Sequence, residues 1–294
     1  MRIQDMFRPH WPLFSIELFP PKTVAGIDAL KAKLVEIRAH EPDFVSVTYG
    51  AAGGTRHTTR EICIHIRRDL GMEAMAHLTC VAHTREEIGE LLDGLYAGGI
   101  RNIMALRGDP PPGESFQPPQ GGYRHAIELV RALAQDGRFG IGVAGYPQKH
   151  VEAPDRQTDL RNQVAKMQAG AGFAVSQFFL EDVHFLRWRD EVRRAGVTIP
   201  LMAGILPALS VDQITRFARM CGVTVPARLL AGLTRFVDHP DSAAAFGLVF
   251  ALQQVEHLLE EGVDGIHLYA LNRLESIRAV SALVRGLRPA GPGD

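Results

Sequence analysis

The chain has 294 residues, of which 46% are hydrophobic and 22% are charged, as in ordinary globular proteins. Its formal net charge of -1 at pH 7 gives no overall field that would attract nucleic acid or a membrane surface. The first residues lack the apolar segment of a signal peptide, and the longest apolar stretch, around residues 243–252, is too short to cross a bilayer. We therefore expect a cytoplasmic protein that binds neither nucleic acid nor membranes.

The three cysteines, Cys63, Cys80 and Cys221, are far apart in the sequence. No pair has the spacing of a zinc site or of a redox motif, so we expect free thiols. The sequence also lacks a His-Glu-x-x-His motif and a carboxylate cluster with metal-ligand spacing. No bound metal is therefore expected.

Eight short apolar segments with the character of β-strands recur along the chain. They cover residues 13–18, 44–48, 74–81, 102–106, 140–145, 174–179, 200–205 and 265–271. Segments with helical periodicity lie between them, such as the one whose apolar face includes Ile27, Leu30 and Leu34. Thr84 and Glu87 have the spacing of a capping box and predict the start of the third helix.

Two stretches interrupt this alternation of strands and helices. Residues 110–122 form a loop rich in Pro and Gly, and residues 208–262 are too long for one helix, which predicts extra helical turns around Pro226 and Pro240. No linker divides the eight units. The pattern predicts one catalytic domain over residues 1–294, a (β/α)8 TIM barrel of the α/β class, with a doubly wound parallel sheet as the alternative.

Polar residues interrupt or end almost every predicted strand. They are Glu17, Thr48, His77, Arg107, Asp109, Tyr146, His150, Gln177, Tyr269 and Arg273. In a barrel of this kind the loops at the carboxyl ends of the strands build the active site. The sequence therefore predicts a site at that end of the barrel.

The carboxyl of Glu17 lies in the apolar run FSIELF, and a poorly solvated carboxyl is suited to general acid catalysis near neutral pH. The alternatives for Glu17 are a salt bridge at the bottom of the barrel or a position facing solvent. Further along the chain, Gly108 allows the backbone to approach a ligand closely, so that Arg107 and Asp109 can present opposite charges to it. An ordinary turn closed by a surface ion pair is the alternative there.

Other polar residues have two interpretations each. Gln177 has an amide that can donate and accept at once, as heteroaromatic rings require, and His77 is a single strand histidine; each is equally typical of a hydrogen-bonded core residue. Asp159, Asn162 and Lys166 share one helical face, which either binds a ligand or is solvated. The segment GIGVAG matches the letters of a dinucleotide fingerprint but lies within a strand, so we do not count it as a nucleotide site.

Several motifs occur together in one order: FPPK after Glu17, then VTYGA, HLTC, ALRGD, AGYP, QFF, GILP and HLYALNR. In this combination the chain resembles the methylenetetrahydrofolate reductase family along nearly its whole length. The resemblance implies a (β/α)8 barrel with noncovalent FAD. NADH or NADPH would reduce the FAD, which would then reduce 5,10-methylenetetrahydrofolate to 5-methyltetrahydrofolate in a ping-pong cycle. We also expect a homo-oligomer.

The resemblance also implies roles for individual residues. Those expected to contact FAD are Thr48, Tyr49, Ala51, His77, Arg107, Gly108, Asp109, Tyr123, Tyr146, His150, Ala153, Asp159, Asn162 and Lys166, the last of them at the diphosphate and ribityl end. Glu17 would protonate N10 of the folate, and Asp109 would tune the flavin and help to activate the folate. Gln177 would bind the pterin and the nicotinamide, and Tyr269 and Arg273 would hold the folate or its glutamate tail.

The chain departs from the family pattern at Arg124, Gln148, Val151 and Val211, where members carry Ala, Glu, Pro and, in some cases, Phe. We expect no regulatory domain after the barrel and therefore no control by S-adenosylmethionine. Two other classes remain open on the residues alone. One is a Schiff-base aldolase, for which Lys149 is the only candidate. The other is a noncatalytic barrel that binds flavin or serves as a scaffold for a partner.

Overall fold

A closed barrel of parallel strands forms the centre of the computed structural model, which describes residues 1–50, 56–109 and 116–288. Its strands are β1 (Leu13–Leu18), β2 (Phe44–Val47), β3 (Ala74–Thr79), β4 (Asn102–Leu106), β5 (Gly140–Gly145), β6 (Phe173–Ser176), β7 (Leu201–Ile205) and β8 (Gly265–Tyr269). The strands pair in chain order, and β8 pairs with β1 to close the sheet. The predicted (β/α)8 fold is confirmed, and the doubly wound sheet is excluded.

The helices surround the barrel. They are α1 (Val24–Arg38), α2 (Arg56–Arg68), α3 (Arg85–Ala97), α4 (Ala126–Asp136), α5 (Arg156–Gln168), α6 (Asp182–Arg194), α7 (Val211–Cys221), α8 (Ala227–Arg235), α9 (Pro240–Glu260) and α10 (Leu274–Leu287). Both α8 and α9 are additional to the barrel pattern and lie between α7 and β8. Pro226 is the N-cap of α8 and Pro240 begins α9, positions where the missing N–H of proline costs no helical hydrogen bond. The prediction of extra helical turns is confirmed.

Local hydrogen bonds fix the starts of α3 and α7, of which the sequence indicated the first. Thr84 and Glu87 form the predicted capping box, in which the Thr84 hydroxyl accepts from the Glu87 N–H at 3.2 Å and the Glu87 carboxylate accepts from the Thr84 N–H at 2.8 Å. At α7 the cap is Ser210, whose hydroxyl accepts from the Gln213 N–H at 3.1 Å.

Several strands end earlier than the apolar runs predicted. β2 stops at Val47, β3 at Thr79 and β8 at Tyr269. The end of β8 has a clear cause, because Leu271 and Asn272 have φ angles of 49° and 57°, which an extended strand does not allow. Apolar character therefore continues past the last paired residue, into the loops that form the carboxyl end of the barrel.

The amino end of the barrel is filled by apolar side chains. A 3₁₀ turn at Ile3–Asp5 lies beneath it, and a separate core cluster includes Phe44, Met75, Phe173 and Met202. Larger apolar clusters pack the strands against the helices. Two buried polar side chains, Glu73 and Asn102, hydrogen-bond each other at this amino end. Glu17, by contrast, lies near the carboxyl end of β1.

The described part of the chain contains no helix long and apolar enough to cross a membrane. Within the same residues, no group of three or more His, Cys, Asp or Glu side chains is arranged to hold a metal ion. Cys63, Cys80 and Cys221 are free thiols, as predicted. Burial raises the pKa of Cys221 to about 11, so this thiol is protonated at neutral pH.

Candidate active site

Glu17 lies inside the barrel at the end of β1 and is 7% exposed. Its Oε2 is 3.4 Å from Nε2 of His267 on β8 and 3.5 Å from Nε2 of His77 on β3. Serine hydroxyls hold both imidazoles, with Ser15 Oγ 2.7 Å from Nδ1 of His267 and Ser46 Oγ 2.6 Å from Nε2 of His77. The surroundings of Glu17 are therefore polar, unlike the apolar environment that its neighbours in sequence predict, and it is not at the bottom of the barrel.

The two histidines give this acid cluster a defined proton chemistry. Burial lowers the pKa of His77 to about 4, so its imidazole is neutral at pH 7, with one donor and one acceptor nitrogen. The Ser15 hydroxyl is 3.5 Å from the carbonyl oxygen of Ile266, to which it can donate. Nδ1 of His267 faces the Ser15 hydroxyl, and Nε2 of the same ring faces Oε2 of Glu17. The imidazole of His267 therefore links the buried carboxyl to Ser15 through hydrogen-bonding distances.

Tyr269 continues the inner surface of β8 above His267, with their rings in an edge-on contact and centroids 5.1 Å apart. Its hydroxyl donates to the carbonyl oxygen of Ser176 at 2.8 Å. Burial, and after it the nearby charge of Glu17, raise the pKa of Tyr269 well above its ordinary value. Gly204 makes room for this arrangement, because a Cβ there would lie 2.2 Å from the Ser176 oxygen and 2.7 Å from the Tyr269 ring. Tyr269 is therefore a neutral phenol held across the barrel mouth.

A cavity of about 280 Å³ lies at the ends of β4 and β5, next to α4 and α5. Its lining includes six residues that were predicted to bind a cofactor: Arg107, Tyr146, His150, Asp159, Asn162 and Lys166. The first turn of α4, at His125, Ala126 and Ile127, forms another part of the wall. The start of a helix attracts anions, because its first N–H groups have no partner within the helix.

Lys166 brings an amine into this cavity. Its Nζ donates to the carbonyl oxygen of Ala144 at 2.7 Å, and the loss of surrounding water lowers its pKa to about 8, an effect that the charge of Asp159 partly opposes. Asp159 accepts from the His150 N–H at 3.0 Å and from Gln163 at 2.7 Å. These bonds fix the loop after β5 against α5.

Arg107 is held mainly by Glu152, through two hydrogen bonds, one of them 2.8 Å long. Asp109 is farther away, 3.7 Å from Arg107, and its side chain is 88% exposed. Gly108 between them has a φ of 82°, and a Cβ there would lie 2.6 Å from Val81. Only glycine adopts this conformation without strain. Asp109 is therefore open to a ligand at the barrel mouth, whereas Arg107 is fixed in the cavity wall.

The remaining predicted residues lie around the mouth, outside the cavity lining. Tyr49 contacts His83, with OH to Nε2 at 2.9 Å, and the guanidinium of Arg85 lies 4.9 Å from the centre of the Tyr123 ring. Gln177 follows β6, where its Oε1 accepts from the Phe178 N–H at 3.0 Å.

Two further predicted residues mark the edges of this region. Thr48 follows β2, and its carbonyl accepts from the Thr59 hydroxyl at 2.8 Å, while Arg273 is an exposed N-cap of α10. Ala51 lies outside the described residues.

The position of Lys149, which contacts the predicted residue Ala153, tests the aldolase alternative. Its carbonyl accepts from Nζ of Lys149 at 2.5 Å. Lys149 belongs to the loop after β5, so it is not the inward lysine at a strand end that a Schiff-base aldolase of this fold requires.

The sequence reasoning missed several residues of the site. Ser15 and Ser46 are small polar residues within buried strands, and His267 was noticed only as part of a motif. A period of two places Ser15 on the same side of its strand as Glu17, and His267 on the same side as Tyr269; this signal was available. Glu152 gave no signal of its own, because it pairs with Arg107 from a different loop.

The fold and site together define a barrel protein whose carboxyl end holds a buried carboxyl between two imidazoles, beside a cavity lined by Lys166, Arg107 and Asp159. The model of the family described as methylenetetrahydrofolate reductase matches residues 2–284. Over 275 residues the chain is 38% identical to the 5,10-methylenetetrahydrofolate reductase of Pectobacterium carotovorum subsp. carotovorum, a match that covers 94% of this chain and 90% of that protein. The chain belongs to the methylenetetrahydrofolate reductase family.

Two more distant similarities accompany this assignment. Over 271 residues the chain is 35% identical to methylenetetrahydrofolate reductase (NADH) 1 of Arabidopsis thaliana, covering 88% of this chain and 46% of that protein. A solved structure of an uncharacterized protein from Clostridium thermocellum, which binds two copies of 5-methyl-5,6,7,8-tetrahydrofolic acid, matches with a TM-score of 0.62 over 94% of this chain and 95% of that chain. At 14% identity this second similarity concerns the fold alone.

Proposed function

We propose that the protein reduces 5,10-methylenetetrahydrofolate to 5-methyltetrahydrofolate, with noncovalent FAD as cofactor and NADH or NADPH as electron donor. The observation that carries the proposal is the position of Glu17, buried at the carboxyl end of the barrel between His77 and His267. The names of the relatives support the folate substrate, and the name of the plant relative mentions NADH.

The cavity has the chemistry that the diphosphate half of FAD requires. Lys166 lies on its wall, and lysine is a common ligand of phosphate groups in proteins. An ammonium has three donors, and the described residues give that of Lys166 one hydrogen bond, to Ala144. The residues present therefore fit the cofactor.

Bound FAD supplies a carrier that accepts hydride from the nicotinamide and passes it to the folate. In this proposal the chain does the rest. Lys166, Asn162 and the start of α4 bind the diphosphate and ribityl end, and Gln177 offers its amide to the ring that is bound at the time, nicotinamide first and pterin second. Asp109 adds negative charge near the rings.

The proton for ring opening is held at Oε2 of Glu17. N10 of the folate is a poor leaving group until it is protonated, and a positioned acid contributes about 10²–10⁴-fold to such a step. Nε2 of His267 lies 3.4 Å from Oε2 of Glu17, so this imidazole is placed to hydrogen-bond with the carboxyl before and after the proton is transferred. Tyr269 and Arg273 hold the folate or its glutamate tail above the acid.

The function is tested with purified protein. Acid denaturation should release one FAD per chain, NADH or NADPH should bleach the flavin absorbance anaerobically, and methylenetetrahydrofolate should then restore it. A protein that neither contains nor binds FAD would refute the proposal. Bleaching without reoxidation by the folate would favour a flavin-binding barrel with a different acceptor.

Replacing Asp109 by Asn should slow folate reduction about tenfold more than flavin reduction, a difference of about 1.4 kcal/mol in barrier height. Removal of a negative charge makes the flavin easier to reduce and a poorer hydride donor, so the two half-reactions respond unequally. Stopped-flow absorbance measures each half-reaction separately. Because the Asp109 side chain is 88% exposed, the melting temperature should stay constant. Equal losses in both half-reactions would mean that Asp109 is only part of a turn.

A further inference from the structure

The loop that follows β8 has an unusual backbone. Leu271 and Asn272 have successive positive φ angles of 49° and 57°, in the left-handed region that residues other than glycine seldom adopt. Asparagine tolerates this region better than most residues because its short side chain can hydrogen-bond nearby backbone. The conformation directs the Asn272 side chain to a single partner residue, Phe19.

The amide of Asn272 makes two hydrogen bonds with the backbone of Phe19. Its Nδ2 donates to the Phe19 carbonyl at 3.0 Å, and its Oδ1 accepts from the Phe19 N–H at 3.0 Å. From the other side, Nζ of Lys33 on α1 donates to the carbonyl of Asn272 at 2.7 Å. The Asn272 side chain thus makes the same pair of hydrogen bonds with Phe19 that the backbone of a neighbouring β-strand would make.

The position of these two hydrogen bonds explains their use. The paired register of β1 and β8 ends at Glu17 and Tyr269. Beyond that point no backbone ladder between these two strands fixes the segments that follow them. Phe19 is followed by Pro20 and Pro21, which have no N–H to donate. The Phe19 N–H is therefore the last backbone donor before the proline pair, and Asn272 satisfies it.

We propose that Asn272 is a positioning residue, whose side-chain amide clamps the exit of β1 to the exit of β8. Glu17 lies two residues before one end of the clamp, and Arg273 directly follows the other. The clamp sets the distance between the buried acid and the groups that hold the folate. This inference rests on the proposed function for its kinetic consequences, whereas the clamp itself can be measured without substrate.

The test compares holoenzymes of the wild type, Asn272→Gly and Asn272→Asp. Glycine accepts the left-handed backbone and deletes both hydrogen bonds. We expect folate reduction by the reduced enzyme to slow about tenfold and KM for the folate to rise, with flavin reduction within twofold of wild type. Aspartate keeps the acceptor for the Phe19 N–H but loses the donor, so its folate reduction rate should fall between the other two.

Thr23→Ala is the matched control. Thr23 lies in the same loop and caps α1 by accepting from the Gly26 N–H at 3.2 Å, without contact to the clamp. Loss of this helix cap should lower the melting temperature. The ratio of the two half-reaction rates should remain equal to the wild-type ratio. A merely structural role for Asn272 predicts that Asn272→Gly behaves in the same way, and that result would overturn the proposal.

Hydrogen–deuterium exchange decides whether the clamp exists, independently of substrate. The Phe19 amide should exchange faster in Asn272→Gly than in the wild type and in Thr23→Ala. Unchanged protection of Phe19 would overturn the clamp even if the kinetics changed. If the wild type does not reduce the folate, the proposed function fails, and faster exchange at Phe19 would still support the clamp.

Discussion

Glu17→Gln should reduce its bound flavin with NADH or NADPH at close to the wild-type rate and should almost lose the ability to reduce the folate. Gln keeps the shape of the side chain and most of its hydrogen bonding, but it cannot donate a proton as an acid. Hydride transfer to the flavin needs no proton on the folate, whereas ring opening does. The expected loss in the second half-reaction is about 10²–10⁴-fold, the usual contribution of a positioned acid.

Stopped-flow absorbance on the two half-reactions measures this difference directly. Glu73→Gln is the matched control, since Glu73 is also a buried carboxyl, 9% exposed, but at the opposite end of the barrel, where it accepts from Asn102 at 3.0 Å. This control should lose stability and keep the ratio of the two rates. Folate reduction by Glu17→Gln within a few-fold of wild type would show that another group is the acid. Parallel loss of both half-reactions would show that Glu17 serves the barrel structure.

The fold could be predicted from the sequence because its signal is local and repeated. Each strand is a short apolar run, each helix has its own periodicity, and eight repetitions without a linker leave few architectures. The position of the site follows from the same pattern, since polar residues such as Glu17 and Tyr269 interrupt those runs near their carboxyl ends. Neither inference requires knowledge of which strands are neighbours.

The partners of the site residues could not be predicted in the same way. The contact of Glu17 with His77 crosses the barrel interior between β1 and β3, and its contact with His267 exists only because β8 closes onto β1. Barrel closure and register decide these distances, and an apolar run in the sequence does not encode either. The sequence therefore predicted an apolar environment for a carboxyl that is in fact surrounded by imidazoles and serine hydroxyls.

The clamp of Asn272 was hidden for a related reason. Its motif, LNR, gives no sign that two consecutive residues adopt left-handed φ angles, because such a conformation depends on the loop that it must meet. Arg107 and Glu152 are likewise brought together from two separate loops. Long-range pairs of this kind are fixed by tertiary structure.

Lys166→Met should weaken the binding of FAD to the apoprotein about 10–100-fold at pH 7, because a hydrogen bond to a charged group contributes about 1.5–3 kcal/mol. It should also change how binding depends on pH. In the wild type, burial lowers the pKa of Lys166 to about 8, so the free protein carries the ammonium below pH 8 and the neutral amine above it. Binding of the diphosphate favours the ammonium, so above pH 8 it requires uptake of one proton.

By linkage, the affinity of the wild type for FAD should fall by about tenfold per pH unit above pH 8, and this slope should be absent in Lys166→Met. Fluorescence titration of the apoprotein with FAD between about pH 6.5 and 9.5 measures it. Lys31→Met is the control, since it removes one exposed lysine that pairs with Glu61 and changes the net charge equally. Its binding curve should parallel that of the wild type.

The stability of the apoprotein gives a second, independent measurement with the opposite trend. Lys166 has a pKa of about 8 in the folded protein and an ordinary value of 10.5, so between these values the unfolded chain binds the extra proton. The free energy of unfolding contributed by Lys166 therefore rises with pH across this window. The free energy of unfolding of the wild type should therefore increase relative to that of Lys166→Met as the pH rises from 8 to 10.5. A constant difference, together with parallel FAD binding curves, would mean that the amine is not held in the cavity wall as the structure has it.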